Sequence, residues 1–254
     1  MYKSNQKEEL TMFNHPFKWF KHQISGWPQQ NYYLWWFALG CQLMTLVNGK
    51  INTIAIVTFF GTMIGVLCIL SINAAKSVNG ILGIISACCL IYVGIRAQNY
   101  LSCFEQISYM ITLDFPVIFS LKSWNDSTVH HIRTFTLTKW IIALISTVIV
   151  WIVSAILIGK YTNDPRPWID GLSFAVSLTA GIMCFLRYNN QYIWWLFSGI
   201  FQLILWGITF LQGGSSLAMA INSSIYIIND ILAFTTSPWF FIGRKKMGLE
   251  NVEK

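Results

Sequence analysis

Residues 52–72 read NTIAIVTFFGTMIGVLCILSI, a run of twenty-one residues without a charge. At about 1.5 Å of rise per helical residue, a run of this length reaches across a hydrocarbon core of about 30 Å. Working outward from it, comparable runs lie at about Tyr32 to Val47, Val78 to Ile95, Leu101 to Leu121, Trp140 to Leu157, Pro167 to Leu186, Tyr192 to Leu211 and Ser216 to Phe234. Lipid offers backbone groups no water, so such runs must satisfy their hydrogen bonds internally as helices. The alternation of a barrel strand is absent. Composition points the same way: of 254 residues, 55% are hydrophobic and 11% charged, under half the charged share of about 25% usual for a soluble domain. Little chain is left for a soluble domain.

The 52–72 run also begins an internal repeat. A shift of 115 residues lays it over the run that starts at Pro167, the third run over the seventh and the fourth over the eighth without a gap, and brings Trp124 onto Trp239. Few other residues are identical, so the signal lies in block and loop lengths. A three-helix unit followed directly by its copy would be inverted, whereas one intervening span, Trp140 to Leu157, restores the direction. The expected architecture is an all-α integral membrane protein of about eight transmembrane helices, an extra N-terminal helix followed by a 3+1+3 arrangement of parallel repeats. Its parts are a lead-in over 1–31, the extra helix over 32–51, the first unit over 52–124, a loop and linker helix over 125–166, the second unit over 167–239 and a tail over 240–254. Parallel repeats of this kind are a transporter signature, with the binding site expected near mid-membrane between the units.

The net charge of +7 invites a nucleic-acid reading, but the lysines and arginines fall in short patches between apolar runs. With the N-terminus cytoplasmic, thirteen of the seventeen lie on that side, leaving Lys50, Arg96, Lys160 and Arg166 outside. That bias places both termini in the cytoplasm. Tryptophans including Trp27, Trp35, Trp36, Trp140, Trp168 and Trp239 gather near span ends, as interfacial aromatics do. All six cysteines, Cys41, Cys68, Cys88, Cys89, Cys103 and Cys184, lie in apolar runs, where a thiol packs as a small apolar group. The start of the chain lacks an apolar core, so no cleaved signal peptide is expected. Its stretch Phe13, Phe17, Trp19, Phe20 with Lys18 and Lys21 suits a short helix along the membrane surface, ended by Trp27-Pro28.

Polar side chains inside spans are costly and therefore point to function. In the seventh span Tyr192, Trp195, Gly199, Gln202 and Trp206 fall within about 80° of one another at ~100° per residue. Aromatic faces with a few placed polar groups suit a flat heteroaromatic ligand, and a cationic one by cation–π attraction. Trp194 and Trp195 also read as interface anchors. In the eighth span Asn222, Tyr226 and Asn229 form a second stripe with Asp230 at its edge, and in the fourth Glu105, Tyr109 and Thr112 share a face from which Gln106 and Asp114 stand apart. Such groups either bind hydroxyls or hold helices together. Pro116 predicts a local break beside Asp114, and Asn79 opens the third span as a contact or an N-cap. His15, His22, His130 and His131 fall in loops and no hydrolytic, phosphate-loop or metal motif is present, so no cofactor or metal is expected. Asn125-Asp126-Ser127 fits a glycosylation sequon, but in a loop assigned inside.

The stretch Arg187-Tyr-Asn-Asn-Gln-Tyr-Ile-Trp-Trp195 resembles the PnuC family of bacterial vitamin transporters, whose members carry an arginine, four residues, a tryptophan, two residues and a tryptophan there. Here Tyr192 replaces the first tryptophan. Asp170, the Asn79-Gly80-Ile81-Leu82-Gly83 run and the closing Trp124 and Trp239 are shared, over roughly Asn31 to Gly243. The resemblance implies a fold similar to the SWEET sugar transporters, homotrimers, and uptake of nicotinamide riboside by facilitated diffusion, trapped by a cytoplasmic kinase. Relatives carrying thiamine or other nucleoside-like compounds leave that alternative open, as does a non-transporting receptor or scaffold. The expectation is a small-molecule carrier, not an enzyme, in the cytoplasmic membrane. Its expected substrate contacts are Tyr192, Trp195, Trp194, Gln202, Gln106, Asn229, Asn222, Tyr226, Glu105 and Asn79. Glu105, Asp114, Asp170 and Asp230 are acidic groups enough for a proton or sodium site, although the family implies none.

Overall fold

The computed structural model describes residues 15–119, 133, 135–213, 217–237 and 239–240. Expectations resting on Phe13, Leu121, Lys122, Trp124, the sequon at 125–127, His130, His131, Ser216 or the tail beyond 240 lie outside the described residues.

The described secondary structure is almost entirely helical. A short α1 (Pro16–Gln23) precedes α2 (Gln29–Asn48), α3 (Thr53–Asn73) and α4 (Asn79–Ala97). Next, α5 (Tyr100–Tyr109) runs through a π-helical turn (Met110–Asp114) into α6 (Phe115–Phe119). The remaining helices are α7 (Leu137–Tyr161), α8 (Pro167–Phe185), α9 (Gln191–Leu211) and α10 (Leu217–Thr236). Among the described residues six helices, α3, α4, α7, α8, α9 and α10, are long and apolar enough to cross a membrane. Six of the eight expected spans correspond to these helices, with ends displaced by a few residues, while the other two overlap α2 and the composite helix from Tyr100 to Phe119, which are not among the six.

Neighbouring helices close a ring. Around it α3 packs on α4, α4 on α5, α5 on α8, α8 on α9, α9 on α10 and α10 back on α3. Outside the ring, α2 lies against α3 and α10, and α7 lies against α8. Burial is inverted relative to a soluble protein: Ile141, Ile145, Ile149 and Ile152 of α7 are exposed, whereas Asn31, Gln42, Asn73, Asn99 and Asp170 are fully buried. A bilayer rewards that distribution, since apolar side chains lose nothing by facing lipid and polar ones need partners inside.

Those partners tie the ring together. Asp170 on α8 accepts the Leu101 amide at 2.9 Å and the Ser102 hydroxyl at 3.0 Å, so a carboxylate sits at the N-terminus of α5, where the helix dipole favours negative charge. At the same end of the bundle the Arg166 guanidinium donates to the Ala97 carbonyl at 3.0 Å, to Asn99 Oδ1 at 2.6 Å and to Gln212 Oε1, and Asn99 Nδ2 donates to Thr209 Oγ1 at 3.2 Å. At the opposite end, Ser237 Oγ donates to the Asn73 carbonyl at 2.8 Å and Trp239 Nε1 to the Ile72 carbonyl at 3.3 Å.

Two local expectations are refined. The surface stretch forms α1, with Phe17 and Phe20 exposed, but Trp19 is buried among Cys68, Val78 and Leu82, so one face docks on the α3–α4 turn. At Pro116 the helix widens instead of breaking: the Phe115 amide bonds to the Met110 carbonyl five residues back, immediately before a residue with no amide hydrogen. A π turn is one way a helix absorbs such a misfit without ending.

Candidate functional site

The ring encloses a cavity of about 1030 Å³, including the space at its mouth, walled by α3, α4, α5 with its π turn, α9 and α10. Each wall presents one helical stripe. From α9 come Tyr192, Trp195, Ser198, Gly199 and Gln202; from α10, Met219, Asn222, Ser223, Tyr226, Asn229 and Asp230. The composite helix adds Glu105, Gln106, Tyr109, Leu113 and Asp114, while α3 and α4 offer mostly small or apolar residues, among them Gly65, Cys68, Gly83 and Ser86.

A chain of hydrogen bonds organises one wall. Trp206 Nε1 donates to Gln202 Oε1 at 2.8 Å, Gln202 Nε2 donates to Glu105 Oε2 at 2.5 Å, and the Tyr109 hydroxyl donates to Glu105 Oε1 at 2.8 Å. Both carboxylate oxygens of Glu105 are thus occupied, and the amide of Gln202 is held in one orientation. Behind this wall Ser198 and Ser177 share a hydrogen bond at 2.5 Å. The Tyr109 and Trp195 rings lie 5.3 Å apart, tilted by 57°, as a rigid aromatic corner. Across the cavity Asn73 Nδ2 donates to Asn229 Oδ1 at 3.1 Å and Asn229 Nδ2 to Asp230 Oδ1 at 3.4 Å.

Aromatic packing flanks both ends of the cavity. Towards Arg166, the buried Trp206 packs with Leu90, Val93, Met219 and Ala220. Towards Trp239, the Tyr192 ring lies 5.5 Å from that of Phe240 and 6.4 Å from that of Phe234. Gly65 matters for the shape: a Cβ there would collide with the hydroxyls of Tyr226 and Ser86, so only glycine lets Tyr226 lie against α3. Gly199 serves packing as well, since a Cβ there would meet Ile227 Cγ1 at 2.8 Å.

Of the ten residues expected to contact a substrate, the cavity brings together Glu105, Gln106, Tyr192, Trp195, Gln202, Asn222, Tyr226 and Asn229. Trp194 and Asn79 are elsewhere. Trp194 is turned towards α7 and α8, its ring stacked 5.7 Å from Trp140 in a cluster with Val176, Ala180 and Tyr188. Asn79 donates to the Lys76 carbonyl at 2.5 Å and borders a separate small void with Val117, Cys184 and Trp239. Thr112, placed on the Glu105 face by spacing, donates back to the Ser108 carbonyl at 2.7 Å. Sequence reasoning passed over Gly65, Cys68, Gly83, Ser86, Ser198 and Ser223. On α3 and α4, apolar all round, small residues leave no periodic signal, although Gly65, Cys68 and Ile72 do follow helical spacing; Ser198 and Ser223 lie beside the stripes of α9 and α10.

Known proteins offer a frame for this geometry. Residues 55–240 match the family described as nicotinamide mononucleotide transporter. The chain is similar to a nicotinamide riboside transporter PnuC of Neisseria mucosa, at 20% identity over 230 residues, covering 85% of this chain and 84% of the relative. It also superimposes on the crystal structure of a vitamin B3 transporter PnuC with a TM-score of 0.73 at 19% identity, covering 90% of this chain and 98% of that one. At that identity the superposition shows a shared fold.

Proposed function

The chain belongs to the family of nicotinamide mononucleotide transporters, and from that premise we propose that it carries nicotinamide riboside, the nucleoside without the phosphate, across a bacterial cytoplasmic membrane. The observation that carries this reading is the make-up of the cavity wall: aromatic rings, amides and three carboxylates, with no lysine, arginine or histidine among the described residues. A phosphate buried there would meet like charge and no base, whereas a pyridinium ring meets π faces and negative charge. In this reading Trp195 and Tyr192 flank the ring, and Gln106, Gln202 and Asn229 hold ribose or carboxamide.

The proposed topology is eight spans with both termini cytoplasmic, as an extra helix and two parallel three-helix units joined by α7. The ring supports it, because exchanging α3, α4 and α5 for α8, α9 and α10 turns the α3–α10 seam into the α5–α8 seam. The two units rock about the cavity and expose it to either side in turn, and substrate moves down its own gradient, drawn inward by intracellular phosphorylation. Assembly into homotrimers rests on the family resemblance.

Ligand-induced thermal stabilisation tests the substrate. A ligand that binds only the folded state raises Tm, so nicotinamide riboside is expected to raise it and nicotinamide mononucleotide to leave it unchanged. A rise with thiamine or an uncharged nucleoside, and none with nicotinamide riboside, would reassign the carrier.

A further inference from the structure

The three carboxylates of the cavity wall are committed to different degrees. Glu105 accepts a hydrogen bond on each oxygen, from Tyr109 and from Gln202. Asp230 accepts one from the amide of Asn229. Asp114 is 4% exposed and lines the cavity, yet its carboxylate takes no hydrogen bond and no ion pair from the described residues. Room for it is built in: it lies over Gly83, where a Cβ would collide with both carboxylate oxygens. It also stands at the end of the π turn, the point where the helix departs from regular spacing.

A carboxylate that faces a cavity within the membrane with no donor among the described residues is costly, and a membrane protein that keeps one has a use for it. The cost is offset when a cation enters the same low-dielectric space, and the cation's own loss of hydration is offset by the carboxylate. We propose that Asp114 is the counter-ion for the positive charge of the transported molecule and sets a preference for cationic over neutral ligands of the same shape. The proposal rests on the transporter reading above and adds to it the residue that reads charge. The aromatic rings that flank the ligand, Trp195 and Tyr192, contribute a cation–π preference of their own, so the Asp114 contribution is what a neutral side chain at this position removes.

Nicotinamide riboside and its 1,4-dihydro form provide the test, since the two differ little in shape while only the first carries a ring charge. Their affinities are measured on the purified full-length protein, wild type and Asp114→Asn, with Asp114→Glu as the charge-retaining control. The wild type is expected to bind the cation at least about tenfold more tightly than the neutral form, and Asp114→Asn to bring the two within about threefold by weakening the cation alone. Asp114→Glu is expected to keep the preference. An unchanged ratio in Asp114→Asn overturns the proposal while leaving the transporter reading intact. So does a wild-type protein that binds both forms equally, a result that does not depend on how any variant folds. A wild-type protein that binds neither form overturns both.

Discussion

At the scale of single residues, one face of α9 supplies a large part of the cavity wall. Spacing of three and four residues identifies Tyr192, Trp195, Gly199 and Gln202 as one stripe, and these four do line the cavity. Trp194 illustrates the limit of reading by residue type. It is adjacent in sequence to Trp195, but a step of ~100° turns it away, onto Trp140. Trp206 lies on the stripe and yet acts through Gln202, whose carbonyl it holds at 2.8 Å. Such second-row roles depend on what stands opposite, which one helix cannot disclose. Trp195 has its ring against that of Tyr109 and lines the cavity. Replacing Trp195 by alanine is therefore expected to weaken nicotinamide riboside binding by about tenfold or more, in line with the loss of a stacked or cation–π contact. Titration of the purified variant, with a cooperative thermal transition as evidence of folding, measures it. Unchanged affinity would remove Trp195 from the site.

At the scale of elements, the π turn from Met110 to Asp114 does what no regular helix would. At ~100° per residue Asp114 stands about 140° from Tyr109, on a different face. A turn closed five residues back advances less per residue, which swings Asp114 towards the same cavity. Hydrophobic spacing assumes one period throughout, so Pro116 was legible as a disturbance and its form was not. Pro116→Ala restores an amide hydrogen and lets the helix close regularly. Its expected effect is unchanged or raised thermal stability together with weaker ligand binding, because Asp114 and Leu113 leave the cavity wall. Paired Tm and affinity measurements check this, and a variant that binds as the wild type does would separate the π turn from the site. The spans were the most legible elements, since long apolar runs carry their own length criterion. Their ends were less so, because hydrogen bonds such as Arg166 to Asn99 and Gln212 reach beyond the apolar stretch and hold the last turns in place.

At the scale of the whole molecule, six helices form a ring around a cavity that opens at a mouth, an arrangement that suits the proposed carrier. The cavity draws on both halves of the chain, α3 to α5 and α9 to α10, as the proposed rocking of the two units requires. Block and loop lengths are the basis of the proposed division into two units, whereas the ring itself depends on the α5–α8 and α3–α10 seams between sequence-distant helices. The most direct measurement is uptake of labelled nicotinamide riboside into liposomes containing the purified protein, with and without proton and sodium gradients. The account predicts saturable uptake that stops when internal and external concentrations are equal, proceeds without either gradient and needs about tenfold or more substrate for half-saturation with Trp195→Ala. Absence of flux above protein-free liposomes, or accumulation above the external concentration only when an ion gradient is imposed, would contradict it.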